Sequence, residues 1–127
     1  MGELQKQLQD LSDEFQKLQG ELQTAVDARQ KLESQQQENR GVQKEFTLLS
    51  DDANIYKLVG PVLLKQEKSE AVMAVDSRLD YIEKEIKRIE KQISDIQEKS
   101  ENKKLEIFQL QTQMQQQQQQ QPVQAAA

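Results

Sequence analysis

The chain has 127 residues, of which 35% are hydrophobic, 31% charged and 4% aromatic, and it carries a net charge of −5. So little apolar material excludes a large compact core, and the acidic balance disfavours nucleic acid or an anionic membrane as a primary partner, since both select clustered cations. His and Cys are absent, which removes the usual general base near neutral pH, thiol nucleophiles, disulfides and the commonest zinc ligands.

At the N-terminus, Met1-Gly2-Glu3-Leu4 lacks the basic and apolar regions of a signal peptide. Lys6 stands where a myristoylation signal needs Ser or Thr. No apolar run approaches the ~20 residues of a spanning helix. The expected location is the cytoplasm.

From Leu4 the apolar spacing alternates four and three. With Leu4 at position d of a heptad, the d series is Leu4, Leu11, Leu18, Ala25, Leu32, Asn39 and Phe46. The a series is Leu8, Phe15, Leu22, Arg29, Gln36 and Gln43. A sustained a/d seam predicts a coiled-coil helix over residues 1–49. Its second half places Arg29, Gln36, Asn39 and Gln43 on the seam. These either fix register and partner number or simply loosen the coil. Gly20 and Gly41 each cost about 1 kcal/mol relative to Ala in a helix interior, so a bend or fraying is expected near Gly41. Ser50-Asp51-Asp52-Ala53-Asn54 has the chemistry of a helix stop, and Asp51-Asp52 reads as a turn rather than an acid–base pair, which needs a shaped cleft.

Residues 54–66, NIYKLVGPVLLKQ, break the heptad pattern. Two short apolar runs flank Gly60-Pro61, where Gly permits unusual φ and Pro fixes its own, so the segment predicts a β-hairpin. A two-stranded hairpin is marginal in water, and its edges are templates for further pairing. The rest of the chain offers no strand to complete it. The hairpin is therefore expected to be completed by other chains.

A second helix is expected over residues 69–117, beginning near Lys68 or Ser69, with Ser69 available as N-cap and Glu70 suited to the positive end of the dipole. Its seam runs Val72, Val75, Leu79, Ile82, Ile86, Ile89, Ile93, Ile96, Ser100, Lys103, Ile107, Leu110 and Met114. Asp80–Lys84, Glu83–Lys87 and Asp95–Lys99 are acid-before-base pairs at i,i+4, each adding about 0.2–0.5 kcal/mol on a solvated face. Leu105 and Phe108 fall off the heptad, marking either a local phase shift or outward-facing apolar groups. The glutamine run from Gln115 and then Pro122 predict a disordered tail over 118–127. Two long helices joined by a short hairpin run antiparallel, with Phe46 facing Val72, Leu11 facing Ile107 and Leu8 facing Leu110. The fold class is mainly α: an antiparallel coiled-coil hairpin carrying one central β-hairpin that joins an intersubunit sheet.

The stretch YKLVGPVLLKQE at 56–67, followed by Glu70-Ala71, Val75, Arg78-Leu79-Asp80-Tyr81-Ile82, Glu85-Ile86 and Arg88, resembles β-class prefoldin subunits. Arg29-Gln30-Lys31-Leu32-Glu33 and Glu38-Asn39 upstream are similar too. The resemblance covers about residues 3–114, and the glutamine tail lies outside it. It implies a subunit of a heterohexamer, assembled with two α-class and three further β-class chains through a double β-barrel. Ile55, Tyr56, Leu58, Val59, Val62, Leu63, Leu64 and Gln66 would be the assembly residues. It also implies a holdase that works without ATP, binding unfolded actin and tubulin chains at coiled-coil tips and passing them to the cytosolic chaperonin. Leu4, Leu8, Leu11, Ile107, Phe108, Leu110 and Met114 would form this chain's tip. From periodicity alone, most of these residues read as seam residues that zip the two helices together. No catalytic residue, cofactor or metal is expected. A structural tether explains the heptads but not the apolar hairpin, and a nucleic-acid-binding helical arm conflicts with the acidic balance.

Overall fold

The structure, a computed structural model, describes the backbone of residues 2–126 and the side chains of residues 2–119. Helix α1 spans Gly2–Leu48, strand β1 Ile55–Val59, strand β2 Val62–Gln66 and helix α2 Lys68–Ala126. The chain divides into two compact units. One is Asp27–Glu90 and contains the hairpin, and the other joins Met1–Val26 with Lys91–Ala127.

Strong helix formers (Gln, Glu, Lys and Leu) dominate both helices, and α1 passes through Gly20 and Gly41 without a break. It ends where the amide of Leu49 bonds the Phe46 carbonyl at 3.3 Å, an i→i−3 tightening of the last turn. A turn closed by Ala53 N–H to the Ser50 carbonyl, 3.0 Å, then leads into β1. Asp51 and Asp52 occupy the centre of that turn, as their chemistry predicts.

The start of α2 differs in one detail from the sequence reading. The amide of Ala71 bonds the Glu67 carbonyl at 3.0 Å, so Glu67 closes the first turn and Ser69 lies inside the helix rather than capping it. At its other end, α2 runs past residue 117 to Ala126. Glutamine is a good helix former, and Pro122 lies within this last stretch rather than at its boundary.

In the hairpin-bearing unit, α1 and α2 lie with the expected seams against each other. Of the expected seam, Val75, Ile82 and Ile89 are buried and Val72, Leu79, Ile86, Leu32 and Phe46 half-buried; Ala71, outside that seam, is buried as well. Gln43 Nε2 donates to Asp76 Oδ1 at 2.8 Å, and Arg29 Nη2 lies 3.1 Å from Glu90 Oε1. Both pairs sit within one residue of the register that sets Phe46 opposite Val72. Arg29 and Gln43 thus reach across from the seam to α2 through pairs that remain partly open to water. Asn39 instead turns back, its Nδ2 donating to the Gln35 carbonyl at 2.7 Å. On the outer face the i,i+4 pairs Asp80–Lys84 and Glu83–Lys87 close at 3.1 and 3.6 Å, whereas Asp95–Lys99 is not formed. A hydrogen bond from Arg88 holds the Glu85 carboxyl below the usual carboxylate range.

In the unit of the helix ends the same antiparallel register holds. Lys103 Nζ lies 2.6 Å from Glu14 Oε2, and its hydrogen bond to that carboxylate raises the lysine's pKa. Ile93, Ile96, Lys103, Ile107 and Met114 are half-buried, while Ser100 and Leu110 are buried. The seam therefore keeps its heptad phase past Lys103. Leu105 and Phe108 are 59% and 68% exposed, which makes them outward-facing groups and not the sign of a phase shift.

Ser100 is 6% exposed, and its hydroxyl makes no hydrogen bond to another described residue of the chain. A buried unsatisfied hydroxyl is destabilising, and Ala is the better helix former. Ser100→Ala is expected to stabilise the chain by about 1 kcal/mol. Thermal unfolding followed by circular dichroism would read this as a midpoint higher by a few degrees.

Candidate functional site

The hairpin pairs Ile55 with Gln66, Tyr56 with Lys65, Lys57 with Leu64, Leu58 with Leu63 and Val59 with Val62. Its two-residue loop is Gly60-Pro61. Gly60 has φ +59°, the left-handed region that glycine enters without a Cβ penalty, and Pro61 supplies a fixed negative φ. That sign pattern is the type II′ turn, whose twist matches paired strands.

Residues directly opposite each other share a face. One face carries Ile55, Lys57, Val59, Val62, Leu64 and Gln66, and the other Tyr56, Leu58, Leu63 and Lys65. Each face mixes apolar side chains with only one lysine. The pair flanking a two-residue turn is hydrogen-bonded, and pairs alternate from there. The backbone groups of Tyr56, Leu58, Leu63 and Lys65 therefore point to the open edges of a sheet of two strands.

All of the predicted assembly residues come together here. Ile55 and Gln66 are half-buried. Tyr56, Leu58, Val59, Val62, Leu63 and Leu64 are exposed, from 48% for Val59 to 69% for Leu58. Six large apolar side chains on ten strand residues, three on each face, are all about half open to water or more, which a solvated surface does not explain.

The predicted tip residues all lie in the unit of the helix ends, but in different environments. Leu4, Leu8, Leu11, Ile107 and Met114 are half-buried in the seam, and Leu110 is buried. Phe108 alone among them faces out, beside Leu105, which the seam-based reading left out of the tip. Within this unit, Leu105 and Phe108 are the only exposed large hydrophobic residues among the described ones. Their displacement from the heptad is the signal that finds them. Met73 and Tyr81, also outward on α2, were not singled out by the sequence as a surface.

Among the described residues no group of three or more Asp or Glu side chains is placed to hold a metal ion, and no helix is long and apolar enough to cross a membrane.

Paired long helices carrying an incomplete two-stranded sheet define a class of protein: a coiled-coil subunit whose hairpin is built for association. The prefoldin subunit family profile matches residues 9–121. Prefoldin subunit 6 of Saccharomyces cerevisiae is 48% identical over 103 residues, covering 81% of this chain and 90% of the relative. Prefoldin subunit 6 of Homo sapiens is 45% identical over 108 residues, covering 85% and 84%. Among solved structures, the prefoldin beta subunit from Thermococcus strain KS-1 superposes with a TM-score of 0.74 at 28% identity, covering 80% of this chain and 89% of that one. The chain belongs to the prefoldin subunit family, and is a chaperone subunit of the β type.

Proposed function

We propose that this chain is one β-class member of a heterohexamer with two α-class and three further β-class subunits. In that assembly it holds unfolded polypeptides such as actin and tubulin without ATP and passes them to the cytosolic chaperonin. The observation that carries the reading is the hairpin: six exposed apolar side chains on a sheet with two open edges. Strands of neighbouring subunits would cover Ile55, Tyr56, Leu58, Val59, Val62, Leu63, Leu64 and Gln66.

Leu4, Leu8, Leu11, Ile107, Phe108, Leu110 and Met114 would hold clients at the helix ends, the seam residues becoming available where helix ends fray. A single apolar tip binds weakly, because association costs several kcal/mol of lost freedom. Several tips around one space gain through effective concentration, so weak contacts suffice and release needs no nucleotide. This work is holding, not catalysis, and its place is the cytoplasm.

The test is the mass of the native complex recovered with this chain, together with its effect on aggregation of a denatured protein. A hexamer that suppresses aggregation without ATP is the expected result. A lone chain that neither assembles nor suppresses aggregation would return the protein to the role of a structural tether.

A further inference from the structure

The last turn of α1 contains no basic side chain, so the negative end of its dipole lacks a cation of its own. Lys68 supplies one from across the hairpin. Its Nζ donates to the Leu49 carbonyl at 3.0 Å and lies 3.5 Å from Asp51 Oδ1. Among the described residues these are the only hydrogen bonds joining residues 49–54 to α2. The Lys68 side chain is only 27% exposed, whereas Asp51 is fully exposed. The carbonyl is therefore the main anchor.

Lys68 is also the first residue of α2, the positive end of that helix and the least favourable place there for a cation. Its position opposes the preference of its own helix and satisfies that of the other. The two flanks of the hairpin are unequal: residues 49–54 on the β1 side, and Glu67 alone on the β2 side. A single ammonium group spans both.

We propose that Lys68 is a strap that fixes the long flank of the hairpin and so presents β1 and β2 in one orientation for docking. The docking half of this statement rests on the assembly proposed above; the ordering of the flank does not. Removing the charge frees the Leu49 carbonyl and lets residues 49–54 move, while α2 loses an unfavourable charge at its start.

The experiment uses the full-length chain and its Lys68→Met, Lys68→Arg and Asp51→Asn variants. Amide hydrogen exchange is followed at Leu49 and Ala53, and each chain is then titrated with the partner subunits. In Lys68→Met, exchange at both amides is expected to rise about fivefold, with exchange in the middle of both helices unchanged. Affinity for partner subunits should fall by a similar factor. Lys68→Arg, which keeps a cationic donor, should restore both readouts, and Asp51→Asn should stay near wild type. Unchanged exchange at Leu49 and Ala53 in Lys68→Met would overturn the strap. So would faster exchange with undiminished partner affinity, because the flank would then not govern docking. Failure of the wild-type chain to bind partner subunits would instead sink the assembly reading, and the exchange comparison would still decide whether Lys68 orders the flank.

Discussion

Replacing Tyr56 and Leu63 together with Asp is expected to abolish recovery of the chain with its partner subunits while leaving helix content unchanged. Both residues lie on the same face of the hairpin by its register, and both are more than half exposed, at 55% and 63%. In the isolated chain the new carboxylates would remain in water, so their cost to folding is small. In the assembled sheet the same carboxylates would be stripped of water next to apolar neighbours. An unpaired buried charge costs several kcal/mol even after relaxation, and two of them should weaken association by about 1,000-fold or more. Lys65 shares that face and could pair with at most one of them. Tyr56→Phe with Leu63→Met, which keeps volume and polarity, should assemble normally. Native mass measurement of complexes purified through a partner subunit would read the result. Hexamers containing the double-Asp chain would show that this face stays in water, and the barrel assignment would be wrong.

The heptad seam was legible in the sequence because burial follows period. Every a and d residue named from Leu4 to Phe46 is half-buried, and the α2 seam from Val72 to Met114 is half-buried or buried. The hairpin was legible because β-branched and aromatic types flank a dipeptide able to make only a few turns. Less legible was anything decided by a single long side chain. The heptad placed Arg29 and Gln43 on the seam, but only their contacts to Glu90 and Asp76 show what they do there. Ser69 had the chemistry of a cap, yet the backbone bond from Ala71 to Glu67 puts the cap two residues earlier, with the helix itself starting at Lys68 as expected. Lys68 gave no local signal at all, since a lysine at a helix start reads as a solvated charge until the end of α1 is seen beside it. Side-chain reach across elements has no period, and this is why sequence patterns miss it.

Deleting residues 1–11 and 107–127 is expected to spare assembly and to reduce holding of an unfolded polypeptide severalfold. The hairpin and its flanks lie wholly within Asp27–Glu90, so the surfaces proposed for assembly are untouched. The deletion takes away every residue proposed for the tip. Two routes to client binding then remain to be told apart, because six of those residues are covered in the seam and only Phe108 is open, with Leu105 beside it. If clients bind the seam, the helix ends must part first, at the expense of contacts such as that of Leu110, 8% exposed. If clients bind the outer face, no opening is needed. In the full-length chain, Leu105→Gln with Phe108→Gln leaves the seam and its heptad phase intact. Because several tips act together, a modest loss at each contact multiplies across the complex. Suppression of aggregation, measured at fixed complex concentration, is expected to fall with the deletion in either case. Loss of holding with the double Gln variant as well would place the client on the outer face of α2. Full holding by that variant would mean that frayed seam residues carry the client. Full holding by the deleted chain would leave Leu4, Leu8, Leu11, Ile107, Leu110 and Met114 with the single task of closing the two helices on each other.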